Sequence, residues 1–95
     1  MLTAGIDIGT SKICGMVIDD NAKPLKIIKY PNNAGLPGKT EKEQNPEIIL
    51  EICKKLYREM KSAFPDISAL GITGQMHGIL YVDEVGNAVS SLYTW

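Results

Sequence analysis

Between Asn45 and Pro65 runs a long amphipathic period, and this segment limits the fold more than any other part of the chain. Asn45 can cap a helix with its side-chain oxygen, Pro46 suits a first helical position, and Glu47 puts negative charge at the positive end of the macrodipole. Ile49, Ile52, Cys53, Leu56, Met60 and Ala63 recur at steps of three and four, while Glu51, Lys54, Lys55, Arg58 and Glu59 fill the opposite face. Pro65 ends the pattern. The spacing predicts a helix over 46–64, roughly 28 Å long at about 1.5 Å per residue. That is long enough to cross a sheet and bury its stripe there.

Strand-like runs supply the sheet. Residues 2–8, 13–19 and 24–30 alternate or run apolar, separated by Gly9 to Lys12 and by Asp20-Asn21-Ala22-Lys23, and read as an antiparallel three-stranded meander under the helix. Beyond Pro65-Asp66, residues 67–73 read as a buried strand and 78–83 as another. Asp83 to Asn87 then make a turn with Gly86 available for positive φ, and 88–95 run on extended. The fold class is α/β with a mixed sheet. Residues 31–45 carry Pro, Gly and Asn without an apolar period, a long loop of the kind that often serves function.

At 95 residues there is room for one core, and 44% apolar with 22% charged residues is ordinary for a folded, soluble chain. Ten basic against eleven acidic residues give no cationic field, so neither nucleic acid nor a membrane surface is an expected partner. Cys14 and Cys53 lack the spacing of a zinc or redox pair and read as two buried thiols. No long apolar run or basic leader follows Met1, which points to a cytoplasmic protein.

Two polar segments carry chemistry. In Gly5-Ile6-Asp7-Ile8-Gly9-Thr10-Ser11-Lys12 an aspartate near the end of an apolar strand precedes a Gly-Thr-Ser turn. Gly9 lets backbone approach a ligand closely, and Thr10 and Ser11 can direct amides and hydroxyls at anionic oxygens. Asp7, flanked by Ile6 and Ile8, points away from the face they bury and suits a hydrated Mg²⁺. An ordinary hairpin turn with a surface aspartate explains the same eight residues equally well. In Gly71-Ile72-Thr73-Gly74-Gln75-Met76-His77-Gly78 hydrogen-bonding groups gather at a strand end. Gln75 and His77 match the donor and acceptor character of hydroxyl groups, and Met76 could pack on a carbon skeleton; a structural histidine is the plainer alternative.

The order Ile-Asp-Ile-Gly-Thr-Ser, Glu43-Gln44-Asn45-Pro46, Gly-Gln-Met-His-Gly and Leu-Tyr-Thr-Trp resembles the FGGY carbohydrate kinases over the whole chain. Within that family it is most like the ketose kinases of the xylulokinase and sedoheptulokinase type. Glycerol kinases carry an Arg-Glu pair where Met76 and His77 stand. The resemblance implies the N-terminal part of an actin-like, ribonuclease H-like domain in a two-domain enzyme. That enzyme moves the γ-phosphoryl group of ATP to a sugar hydroxyl with Mg²⁺. It assigns Asp7 to Mg²⁺ and the transferring phosphate, and Gly9, Thr10, Ser11 and Lys12 to nucleotide phosphate. It assigns Gln75, Met76, His77 and Trp95 to the sugar. Asn45 stands where many relatives have Asp, which preserves the cap.

No terminating element follows Tyr93-Thr94-Trp95, so the expectation is an incomplete domain, with the general base and adenine pocket outside residues 1–95 and the chain alone inactive. Expected partners are ATP and a sugar, with a homodimer left open. The first motif is shared with non-enzymatic actin-like modules that bind nucleotide to control assembly. That alternative stays open here, as does a plain α/β domain with no site of its own.

Overall fold

The computed structural model of the chain describes residues 1–36, 43–75 and 78–94. Strand β1 (Leu2–Ile8) turns back into β2 (Lys12–Ile18), which turns back into β3 (Pro24–Pro31), forming the antiparallel meander. After a two-residue strand β4 (Glu43–Gln44) comes helix α1 (Pro46–Ala63), then β5 (Ile67–Gly74) and a second two-residue strand β6 (Leu92–Tyr93). The main sheet has the order β3-β2-β1-β5, with β5 parallel to β1, so it is mixed as expected.

Alternation decides which face is core. Ala4 and Ile6 of β1 and Ile13 and Val17 of β2 are buried, while their neighbours Asp7 and Met16 are exposed on the other face. Leu56 and Met60 of α1, both fully buried, close the first face. Gly15 lies directly beneath them: a Cβ there would come within 3.0 Å of Met60 Sδ and 3.4 Å of Leu56 Cδ2, so the missing side chain lets the helix approach β2 closely.

The ends of α1 follow the expected chemistry. Asn45 Oδ1 accepts from the Glu47 amide at 3.0 Å, with Pro46 next in line. At the other end Lys61 Nζ donates to the carbonyls of Pro65 at 2.7 Å and Ile67 at 2.8 Å, tying the last turn to the start of β5. The apolar stripe is narrower than its spacing predicts. Ile49, Leu56 and Met60 are buried, Ile52 and Cys53 half-buried, and Ala63 is exposed because it lies in the last turn, where the chain leaves the sheet.

Four expectations are corrected. Strand β5 is not buried: only Ile67 is, and Leu70 and Ile72 are exposed, since β5 stands at the sheet edge beyond the cover of α1. Residues 78–83 do not form a strand. They make isolated bridges, Ile79 with Tyr93 and Val82 with Ala88, across a turn in which Asp83 Oδ1 accepts from the Val85 and Asn87 amides and Gly86 takes φ +89°. The loop over 31–45 is not wholly irregular, because β4 within it pairs with β6 and Gly35 bridges Gln44. Both cysteines are free and half-buried rather than buried, Cys14 on the open face of the sheet and Cys53 on the flank of α1. Burial pushes the Cys53 thiol above its usual range.

The turn between β2 and β3 is organised one residue earlier than its composition suggests. Asp19 Oδ1 accepts from the amides of Asn21 at 2.9 Å and Lys23 at 3.0 Å, which lets Ala22 adopt φ +60°. No helix among the described residues is long and apolar enough to cross a membrane.

Candidate functional site

At the C-terminal end of β1, Asp7 stands on the exposed face between Cα partners Cys14 on β2 and Thr73 on β5. Ile6, its neighbour, is 3% exposed on the helix side, so the alternation that buries the isoleucine turns the carboxylate outward. Asp7 borders a shallow depression of about 480 Å³ on this face, whose floor includes Gly5, Cys14, Met16, Ile27 and Thr73. Thr73 belongs to the second polar segment in sequence, but only the parallel register of β5 on β1 brings it beside Asp7.

The turn that follows is tight. The Gly9 amide donates to the Lys12 carbonyl at 2.9 Å, and a Cβ on residue 9 would come within 2.6 Å of that same oxygen. No side chain fits there. Thr10, Ser11 and Lys12 project from the turn and are exposed, with groups able to face an anion.

A connected set of amides holds this turn to the start of the second polar segment. The Thr10 hydroxyl lies 3.5 Å from Gln75 Oε1, to which it donates. Gln75 Nε2 donates to Gln44 Oε1 at 2.9 Å, and Gln44 Nε2 donates to the Thr10 carbonyl at 3.3 Å. These three contacts close a ring through Thr10, Gln75 and Gln44. Asn32 braces it: its Nδ2 donates to the Gly9 carbonyl at 2.9 Å and to Gln44 Oε1 at 3.4 Å, and its Oδ1 accepts from the Ala34 amide at 3.1 Å. The Asn32 amide in turn donates to the Ser11 carbonyl at 2.9 Å. Gln44 is 6% exposed, a buried polar side chain at the centre of the set.

Of the residues expected at the site, the structure therefore brings Asp7, Gly9, Thr10, Ser11, Lys12 and Gln75 to one end of the sheet. Met76, His77 and Trp95 lie outside the described residues. Gln44 and Asn32 were not among the expected site residues. Gln44 stands in sequence within the Glu43-Gln44-Asn45-Pro46 segment, where it carries family resemblance and a place beside a helix cap but no assigned contact, and Asn32 reads as one polar residue of a loop. Among the described residues no three His, Cys, Asp or Glu side chains come together as a metal cluster.

Comparison with known proteins gives this geometry a family context. A family model described as the FGGY family of carbohydrate kinases, N-terminal domain, matches residues 2–95. The xylulose kinase of Staphylococcus xylosus is 27% identical over 93 residues, spanning 96% of this chain and 19% of that protein. A xylulose kinase of Staphylococcus epidermidis is 31% identical over 102 residues, with the same coverage. Among solved structures, the ligand-bound xylulose kinase of Lactobacillus acidophilus superposes with a TM-score of 0.85 at 20% identity, covering 99% of this chain and 19% of its own. The glycerol kinase of Plasmodium falciparum with ADP superposes at 0.84 and 19% identity, covering 99% and 20%. These likenesses establish the fold as actin-like and ribonuclease H-like. The chain spans about a fifth of the length of the curated relatives it matches.

Proposed function

Because the chain belongs to the FGGY family of carbohydrate kinases, we propose that residues 1–95 form the N-terminal part of a two-domain, ATP-dependent enzyme. It transfers the γ-phosphoryl group to a hydroxyl of a ketose of the xylulose or sedoheptulose type. The observation that carries this reading is the contact between the two polar segments. Thr10 of the glycine turn and Gln75 of the strand end share a 3.5 Å hydrogen bond, so a phosphate at one segment and a sugar at the other would be neighbours. Phosphoryl transfer is mainly a matter of such positioning and of charge neutralisation.

In this reading Gly9, Thr10, Ser11 and Lys12 hold nucleotide phosphate, the turn supplying amides and hydroxyls and Lys12 a cation. Gln75, with Met76, His77 and Trp95, meets the sugar. Asp7 fits Mg²⁺ of the kind held by one carboxylate, several waters and the phosphates: it is an exposed carboxylate beside the turn and, among the described residues, belongs to no cluster of three metal-ligating side chains. Magnesium there would offset charge on the phosphates. The general base and the adenine pocket belong to parts of the enzyme beyond these residues, and closure of a second domain would keep water from the phosphate. Residues 1–95 alone are then inactive. A cytoplasmic location fits the ATP supply, and self-association into a homodimer is compatible with the reading.

The test is ADP release by the intact kinase with D-xylulose, sedoheptulose and glycerol in turn. Turnover with a ketose and little with glycerol is expected. Equal ADP release with and without sugar would instead indicate a nucleotide-driven module without a sugar acceptor.

A further inference from the structure

We infer that Gln44 is a positioning residue that makes the order of the phosphate-facing turn depend on the strand end that meets the sugar. The inference rests on the kinase reading above and extends it to a side chain that need touch neither substrate.

The backbone fixes how every amide in the set is oriented. The Ala34 amide can only donate and the Gly9 carbonyl can only accept, so Asn32 must direct Oδ1 at the first and Nδ2 at the second. Nδ2 of Asn32 then also faces Gln44, which fixes Oε1 of Gln44 as the acceptor and leaves Nε2 for the Thr10 carbonyl. Gln75 completes the arrangement by donating to that same Oε1 at 2.9 Å, while its own Oε1 accepts from the Thr10 hydroxyl. Turning over Asn32 or Gln44 would set donor against donor and acceptor against acceptor, and turning over Gln75 would set its Oε1 against Gln44 Oε1; mismatched polar groups in a buried set are costly.

Two of the three ring members lie in segments that would face ligands, Thr10 toward phosphate and Gln75 toward sugar. Gln44 stands between them, anchored from β4 and screened from water. A sugar that immobilises Gln75 therefore also fixes Gln44 Oε1, and through Nε2 it fixes the Thr10 carbonyl. The turn is ordered before nucleotide arrives. Without Gln44 the direct link that remains is the long Thr10 hydroxyl contact, which a sugar hydroxyl competing for Gln75 Oε1 would break.

The test is amide hydrogen exchange of the intact kinase with and without D-xylulose or sedoheptulose, in the absence of nucleotide, comparing the unsubstituted protein with Gln44→Leu. In the unsubstituted protein sugar should slow exchange at both Gln75 and the Thr10–Ser11 amides, by about fivefold or more if the coupling is of ordinary size. In Gln44→Leu the protection at Gln75 should remain and that at Thr10 and Ser11 should vanish. Turn protection that persists in the variant overturns the role of Gln44 and leaves the kinase reading intact. No protection at Gln75 in the unsubstituted protein with either sugar overturns the ketose-kinase reading itself. Gln44→Glu provides a second variant that keeps size and acceptor oxygens but cannot donate to the Thr10 carbonyl. It too should lose protection at the turn, and a kcat reduced more than the sugar KM is raised would mark misalignment rather than lost binding.

Discussion

Met60 sits directly on Gly15, with its sulfur 3.0 Å from where a Cβ at position 15 would be. This contact sets how closely α1 approaches the centre of the meander. A larger residue has to displace Met60 and Leu56, both fully buried, from their places in the core. Gly15→Val should therefore destabilise the fold by about 1–3 kcal/mol, the usual range for overpacking a tight core. The midpoint of urea unfolding measures this. A Gly15→Val protein that unfolds at the same midpoint would mean the helix does not bear on β2 at this residue.

The start of α1 offers a smaller and separable effect. Asn45→Ala removes the acceptor for the Glu47 amide and should cost about 1 kcal/mol, whereas Asn45→Asp keeps the acceptor and should be close to neutral. Thermal unfolding of the two variants side by side checks the sign and the ranking.

Asp7 tests the chemistry. If it serves Mg²⁺ and the phosphates, Asp7→Asn in the intact kinase should lower kcat by roughly 10²–10³-fold, a common loss when transition-state charge is no longer compensated, with little change in the sugar KM. Steady-state kinetics across a range of Mg²⁺ concentrations make the comparison. A kcat within twofold of the unsubstituted enzyme would remove Asp7 from the reaction.

Two groups predict the pH response. Hydrogen bonding to Glu59, then burial, then the charge of Glu59 hold the Tyr30 hydroxyl above its ordinary range. Because the folded value is the raised one, this contribution is whole below the unfolded tyrosine value of about 10 and is lost as pH rises through the folded value. Asp83 has the opposite sign. The backbone amide of Asn87 is the largest cause holding its carboxyl below the ordinary range, and the Val85 and Gly86 amides act in the same direction. Its contribution is present above about pH 4 and is lost as pH falls through the lowered folded value. Proton NMR titration should find the 83–87 turn intact at pH 4 and loosening below it, and Tyr30→Phe should abolish the alkaline step due to that hydroxyl.

Much of the architecture is legible from local chemistry. Asn45, Pro46 and Pro65 mark the limits of α1 to within a residue, since capping and the missing proline amide act over one turn. The meander follows from period-two alternation around Ala4, Ile6, Ile13 and Val17. Where local pattern misleads, the cause is position in the sheet: Leu70 and Ile72 are apolar enough for a buried strand, yet β5 lies at the edge, and residues 78–83 find only isolated partners. The site divides in the same way. Asp7 and the Gly9 turn announce themselves as a strand end and a tight reversal, and Gln75 as one of a cluster of polar groups after a strand.

The amino-acid sequence alone determined the extent of the helix, the meander, the outward aspartate and the family, because each depends on residues close together along the chain or on their order. Only the tertiary structure decided that Thr73 stands beside Asp7 and that Gln44 and Asn32 bind the turn to Gln75. Those relations depend on strand register and on hydrogen bonds between residues up to 65 positions apart. A glutamine carries the same donors and acceptor wherever it occurs, and what makes Gln44 a junction is the set of backbone groups that folding brings within its reach.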